Sequence, residues 1–198
     1  MGLGGLYHYV LIVRAGLHFR TKDPNIELWG YSTPPHVRGA MSIDVITSIL
    51  QSHPFTEGFW PDHVARLSAM ASEVRFRAGE LIFREGDHSS FFYLLVSGNV
   101  ALEVISPGRP VRVATLYAGE VLGWSSVTGN GDGKQFQARS LEEVHALAFD
   151  GERLRHACQE DYAFGFWFVR AILKVMSGRL HAILAQLVGV YSPVAAGK

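Results

Sequence analysis

The sequence predicts a mainly β fold: an antiparallel β-roll of the double-stranded β-helix or jelly-roll type, with helices before it and one long helix after it. Three observations carry that expectation. The hydrophobic period is helical from Met41 until shortly before Glu73, changes to two there, and turns helical again at Asp150. Between those points, glycine-containing turns recur about every 8–12 residues, the rhythm of short antiparallel strands. After Asp161, apolar residues alternate at spacings of three and four through more than three heptads.

Residues 1–40 show neither period. They are rich in Gly, Tyr and His and are interrupted by Pro24, Pro34 and Pro35. They read as an appendage, native or from an over-extended gene start, to a working domain that begins near Met41. Ser42–Leu50 reads as a short amphipathic helix ended near Pro54. Pro61–Leu67 begins a second, with proline in its first turn, so 41–72 holds the N-terminal helices. The roll is expected over 73–150. Its strands run through Val74–Phe76, Leu81–Phe83, Phe91–Val96, Val100–Ile105, Val111–Thr115, Gln135–Arg139 and Val144–Phe149, separated by Gly79, Gly86, Gly98, Gly108 and Gly119. Over 151–191, a short helix at Gly151–Gln159 precedes a long one capped by Asp161 and reaching Tyr191; 192–198 is a tail.

The composition narrows the function classes. In a chain of 198 residues, 48% hydrophobic and 18% charged, a filled core is expected and disorder is not. Lys plus Arg equals Asp plus Glu at 18 each, so no global field points to nucleic acid or an anionic membrane. The single cysteine, Cys158, excludes an intrachain disulfide framework and a Cys-rich metal site, and fits a reducing cytoplasm. It reads as a small buried hydrophobe. No apolar run approaches the ~18 residues of a membrane span. Tyr9–Val13 lacks a basic segment before it, and Leu6 stands where a myristoylation signal wants Ser or Thr. A cytoplasmic protein without membrane contact is the expectation.

Nine histidines raise a metal reading. His88 stands alone in a turn, no His-x-His occurs in the roll, and His145 has only Glu143 at metal spacing. Gly-x-Ser-x-Gly and Walker-type loops are absent. The residues point to no metal, no cofactor and no catalytic set.

The most informative segment is Ala118-Gly119-Glu120-Val121-Leu122-Gly123-Trp124-Ser125-Ser126, followed ten residues after Trp124 by Lys134. It reads as a strand, a glycine turn and a loop whose backbone N–H groups around Ser125 and Ser126 are able to face an anion. Gly129–Gly133 precedes Lys134 and reads either as a binding loop or as a solvated hairpin tip.

Taken with Ala78–Asp87 and Phe92–Gly98, this segment resembles the phosphate-binding cassette of the cyclic-nucleotide-binding superfamily of catabolite activators and kinase regulatory subunits. The likeness extends over 73–150 and, by element order, to 191. It more closely resembles the short, stand-alone bacterial members that have Gly-Trp-Ser in the cassette. The resemblance implies a regulatory domain whose small-molecule ligand meets Gly123, Trp124, Ser125, Ser126, Lys134 and Gln135. In ligand-binding relatives the cassette glycine is followed by a Glu that accepts the ribose 2′-OH, and an Arg about ten residues on pairs with the cyclic phosphate. Trp124 takes the Glu position here and Lys134 the Arg position. Indole is donor-only and adds bulk where a ribose sits. Lysine keeps the charge but loses the bidentate fork. The expectation is therefore a divergent pocket, holding a ligand other than cAMP or cGMP, or none. A true cyclic-nucleotide receptor and a protein-interaction module are the alternatives.

Phe166, Val169, Leu173, Met176, Leu180, Ile183 and Leu187 form the seven-residue repeat of the long helix. They read either as a homodimer seam or as a face packed on the roll. The dimer is favoured, because so long a helix outreaches a small roll. Arg170, Lys174 and Arg179 on the same helix are either a solvated face or a docking surface for an acidic partner. Family transcription factors continue into a helix-turn-helix after this helix, and 192–198 is too short for one, so no direct DNA binding is expected.

Overall fold

Two four-stranded antiparallel sheets face each other, and helices cover the outside of one of them. The computed structural model describes residues 41–88, 90–107, 109–128 and 134–191, without the side chains of 186–191. The strands are β1 (Ser72–Phe76), β2 (Leu81–Phe83), β3 (Phe91–Ser97), β4 (Val100–Ser106), β5 (Arg109–Leu116), β6 (Val121–Leu122), β7 (Gln137–Ser140) and β8 (Val144–Asp150). One sheet has the order β1-β8-β3-β6 and the other β2-β7-β4-β5. The mainly β fold with flanking helices is thus as the sequence predicts. β7 begins at Gln137 rather than Gln135.

The first sheet is buried on both faces, which explains its continuous apolar strands. Val74, Tyr93, Leu95, Leu122, Ala146 and Ala148 point into the roll, against Phe83, Val100 and Leu116. Their neighbours Phe92, Leu94, Val121, Leu147 and Phe149 point the other way, into a helix-side core. Strand alternation therefore divides one apolar run between two cores.

The helix-side core is closed by α1 (Ile43–Ser52), a 3-10 turn at Pro54–Thr56, α2 (Pro61–Ser68), α4 (Gly151–Glu160) and α5 (Tyr162–Tyr191). Leu50, Phe55, Leu67, Leu154, Phe164, Phe168 and Ile172 are its buried members. Three helix starts are read from their caps, and α2 from Pro61 in its first turn. Ser42 accepts from the Val45 amide, Asp150 from Arg153 at 2.9 Å and Asp161 from Phe164 at 3.0 Å. The Phe164 amide, more than any other contact, holds the Asp161 carboxyl below its usual pKa. Arg66 on α2 bridges to Glu160 at 2.7 Å, tying the first helices to the last.

Two short elements are unforeseen, the 3-10 turn at Pro54–Thr56 and a turn inside the cassette. Ser125–Thr128, expected as a loop, makes a single helical turn, α3. Residues 1–40, Gly129–Gly133 and 192–198, for which an appendage, a loop and a tail are expected, lie outside the described residues. Among the described residues, no helix is long and apolar enough to cross a membrane.

Candidate functional site

The cassette is fixed by a glycine that no other residue replaces. Gly123 follows β6 with φ 77°, and a Cβ there falls 2.3 Å from the Phe91 carbonyl oxygen. A side chain is excluded twice over, by conformation and by space. The same virtual Cβ lies 3.2 Å from Lys134 Nζ, so the missing side chain is what lets the ammonium reach the turn.

Lys134 is set by its backbone. Its amide donates to the Asp87 carbonyl at 2.9 Å, and its carbonyl accepts from Gly86 at 2.7 Å. The side chain then runs inward with 5% exposure. Nζ lies 4.3 Å from the centre of the Phe83 ring, a cation–π contact, and has no hydrogen-bond partner. Burial pushes its pKa down to about 8, against a smaller opposing pull from Asp87.

A cavity of about 90 Å³ opens beside it. Gly123, Trp124, Ser125, Lys134 and Gln135 all line it, so five of the six expected ligand residues come together. Ser126 does not. Its amide donates to the Gly123 carbonyl at 3.0 Å and its hydroxyl to the same oxygen at 2.8 Å, while Arg155 donates to the Ser126 carbonyl. The expected N–H nest at Ser126 is thus corrected: the α3 turn consumes that donor. Trp124 walls the cavity, but its ring packs on the helix-side core rather than in the roll interior. Glu120 stays in the approach turn, accepting from the Tyr117 amide at 2.8 Å.

The residue that sequence reasoning missed is Arg179. It lines the cavity from α5, with Nη2 donating to the Val121 carbonyl and Nε buried without a partner. Burial lowers its pKa, opposed by Glu120. Its companions are also engaged: Arg170 stacks on Trp167 at 4.7 Å and Lys174 pairs with Glu57 at 2.7 Å. Arg170 and Lys174 are exposed, as a solvated face requires, and only Arg179 turns inward.

The seam of α5 is exposed. Phe166, Val169, Leu173, Met176, Leu180 and Ile183 are between 37% and 65% exposed, so they do not pack on the roll. Leu187 lies on α5 beyond the described side chains. Cys158 is half-buried, and burial raises its thiol pKa to about 11. Among the described residues, no three His, Cys, Asp or Glu side chains gather as a metal site.

Comparison with known proteins agrees with this fold. The family model for the cyclic nucleotide-binding domain matches residues 73–161. The roll belongs to the cyclic nucleotide-binding domain superfamily. A CRP-like cAMP-activated global transcriptional regulator of Mycobacterium tuberculosis is 27% identical over 100 residues, 50% of this chain and 44% of the regulator. The match thus spans less than half of that relative. A structure from Geobacter metallireducens, assigned as cyclic nucleotide-binding, aligns with TM-score 0.61 and 22% identity over 72% of this chain and 100% of that one. A cyclic nucleotide-binding domain from Methylobacillus flagellatus gives 0.65 and 14%, over 77% of this chain and 86% of that one. At such identities the structures speak for the fold.

Proposed function

We propose that this chain is a non-enzymatic regulatory domain of the cytoplasm whose divergent cassette senses a small anionic ligand other than cAMP or cGMP. The observation that supports this best is the charge of the cavity wall. Among the described lining residues Lys134 and Arg179 are cationic, and no carboxylate is present to accept a ribose hydroxyl. Loss of such an acceptor for a buried hydroxyl costs about 1–3 kcal/mol, and the fork lost on replacing arginine by lysine adds to it. Cyclic-nucleotide affinity then falls by roughly one to four decades.

The exposed apolar seam supports a second element of the reading, a homodimer through α5. A ligand that favours one position of α5 over another shifts the assembly by its differential affinity for the two.

Isothermal titration calorimetry of the full chain against cAMP and cGMP tests the ligand class. No binding at low micromolar concentration is expected. Micromolar or tighter binding of either, lost in Lys134→Ala, overturns the reading and restores an ordinary cyclic-nucleotide receptor.

A further inference from the structure

Two cations from different parts of the fold converge on the cassette. Lys134 is covalently part of the roll, whereas Arg179 stands on α5, 58 residues beyond its hydrogen-bond partner Val121. Each carries a buried nitrogen with no partner, Nζ of Lys134 and Nε of Arg179. Buried charged donors without partners are expensive. Asp87 and Glu120 lie near enough to favour the charged forms, but neither lines the cavity.

We propose that the cavity binds a dianionic group, a phosphomonoester in preference to a cyclic phosphodiester, gripped between Lys134 and Arg179. This rests on the reading of the cassette as a divergent ligand pocket and names the chemistry that pocket selects. A cyclic phosphodiester carries one negative charge and has one cation to satisfy it in this family's cassette. A phosphomonoester carries about 1.5 to 2 negative charges at pH 7 and three acceptor oxygens. It matches two cations, and its oxygens supply acceptors to Nζ and Nε together.

The surroundings suit the same group. Thr128 and Gln135 line the cavity beside the cations. Phe83, Leu102, Leu122 and Phe136 form apolar walls that strengthen each charge interaction by excluding water. Some 90 Å³ accommodates several waters at ~10–15 Å³ each, or one compact polyatomic anion. Because the α3 turn consumes the Ser126 N–H, side-chain charge replaces the backbone cradle. Arg179 need not leave Val121 to take part, since guanidinium has five donors and the Val121 carbonyl occupies one of them. The anion is then shared by the roll and α5, so its affinity and the position of α5 are linked reciprocally.

The experiment titrates inorganic phosphate, AMP and cAMP into the full chain at pH 7, for wild type and for Lys134→Gln and Arg179→Gln. Circular dichroism checks that each variant is folded. AMP is expected to bind at least about 10-fold more tightly than cAMP, and either variant to weaken AMP by about 10- to 100-fold, the range of a lost charge-assisted contact. If Arg179→Gln does not fold, Arg179→Lys replaces it; retaining charge without the fork, it is expected to weaken AMP less than 10-fold. AMP binding that depends on Lys134 but not on Arg179 overturns the inference and leaves the divergent-pocket reading standing. cAMP binding as tight as AMP overturns both. No binding of any anion overturns the inference and leaves a pocket without a ligand.

Discussion

The two halves of α5 are both rich in apolar residues but face different surroundings. From Tyr162 to Ile172 the helix is anchored, with Phe164, Phe168 and Ile172 buried against β3, β8 and the 3-10 turn. From Leu173 to Ala185 no described side chain is buried. That half touches the helix-side core at the partly buried Val175, meets the roll through Arg179 on Val121 and meets Glu57 through Lys174. A helix apolar all round is ordinarily enclosed on all sides. Here the roll encloses one stripe of the first half, and the rest of the apolar surface faces outward over about 20 Å of helix. The contrast separates a first half that anchors the fold from a second half that adds little to it.

The largest test of that separation is Phe168→Ala. Its ring is fully buried and contacts Phe55 at 5.3 Å, Phe92 at 5.5 Å and Phe164 at 5.8 Å. Truncation removes packing from three elements at once and is expected to cost about 3–5 kcal/mol in chemical denaturation. Phe166→Ala, two residues away and 65% exposed, is expected to cost less than about 0.5 kcal/mol. Equal costs for the two remove the distinction between the faces.

The cassette behaves in the opposite way, as a site that weakens the fold. Folding takes Lys134 from 10.5 down to about 8. Between those values the unfolded chain holds a proton that the folded chain has released, so stability rises with pH across that window. Below about pH 8 the full penalty applies, about 3 kcal/mol by the size of the shift, of which the Phe83 contact returns up to ~2. Lys134→Met is therefore expected to stabilise the unliganded protein by about 1 kcal/mol at pH 7 and to abolish the rise in stability toward pH 10. A destabilised Lys134→Met protein rules out an uncompensated ammonium. Anion binding follows the complementary sign. It weakens as pH rises through about 8 and Lys134 loses its charge, while a phosphomonoester loses its second charge below about pH 6. Phosphomonoester affinity is thus expected to be greatest between those limits.

How much of this was readable depends on the range of the interaction. Strands from Val74 to Phe149 were legible because turns and alternation are local, and Asp161 was legible as a cap because its partner is three residues away. Gly123 and Lys134 were placed by resemblance, but the close approach of Phe91 that requires the glycine is a contact across β3 and β6. The α3 turn escaped notice because four residues carry no measurable period. Arg179 escaped for a different reason. Its spacing grouped it with Arg170 and Lys174 on one helix, and nothing local tells which of the three meets a carbonyl 58 residues earlier. Trp124 was legible as a loss of the ribose acceptor, but its packing on the helix-side core was not.

The smallest effect on folding decides the most about assembly. Leu180 is 57% exposed in the unanchored half of α5, so Leu180→Asp removes no internal packing and is expected to change monomer stability by less than about 0.5 kcal/mol. In a paired helix seam the same carboxylate is desolvated against apolar neighbours, at a cost of several kcal/mol per interface. Sedimentation equilibrium is therefore expected to show a dimer for wild type and a monomer for Leu180→Asp, with matching circular dichroism. Leu173→Asp, one heptad earlier on the same exposed seam, is expected to do likewise. Should both variants keep the wild-type mass, the exposed seam is not the interface between copies. The apolar second half of α5 would then have to be covered by a different chain, and the anion grip of Arg179 would act on that contact instead.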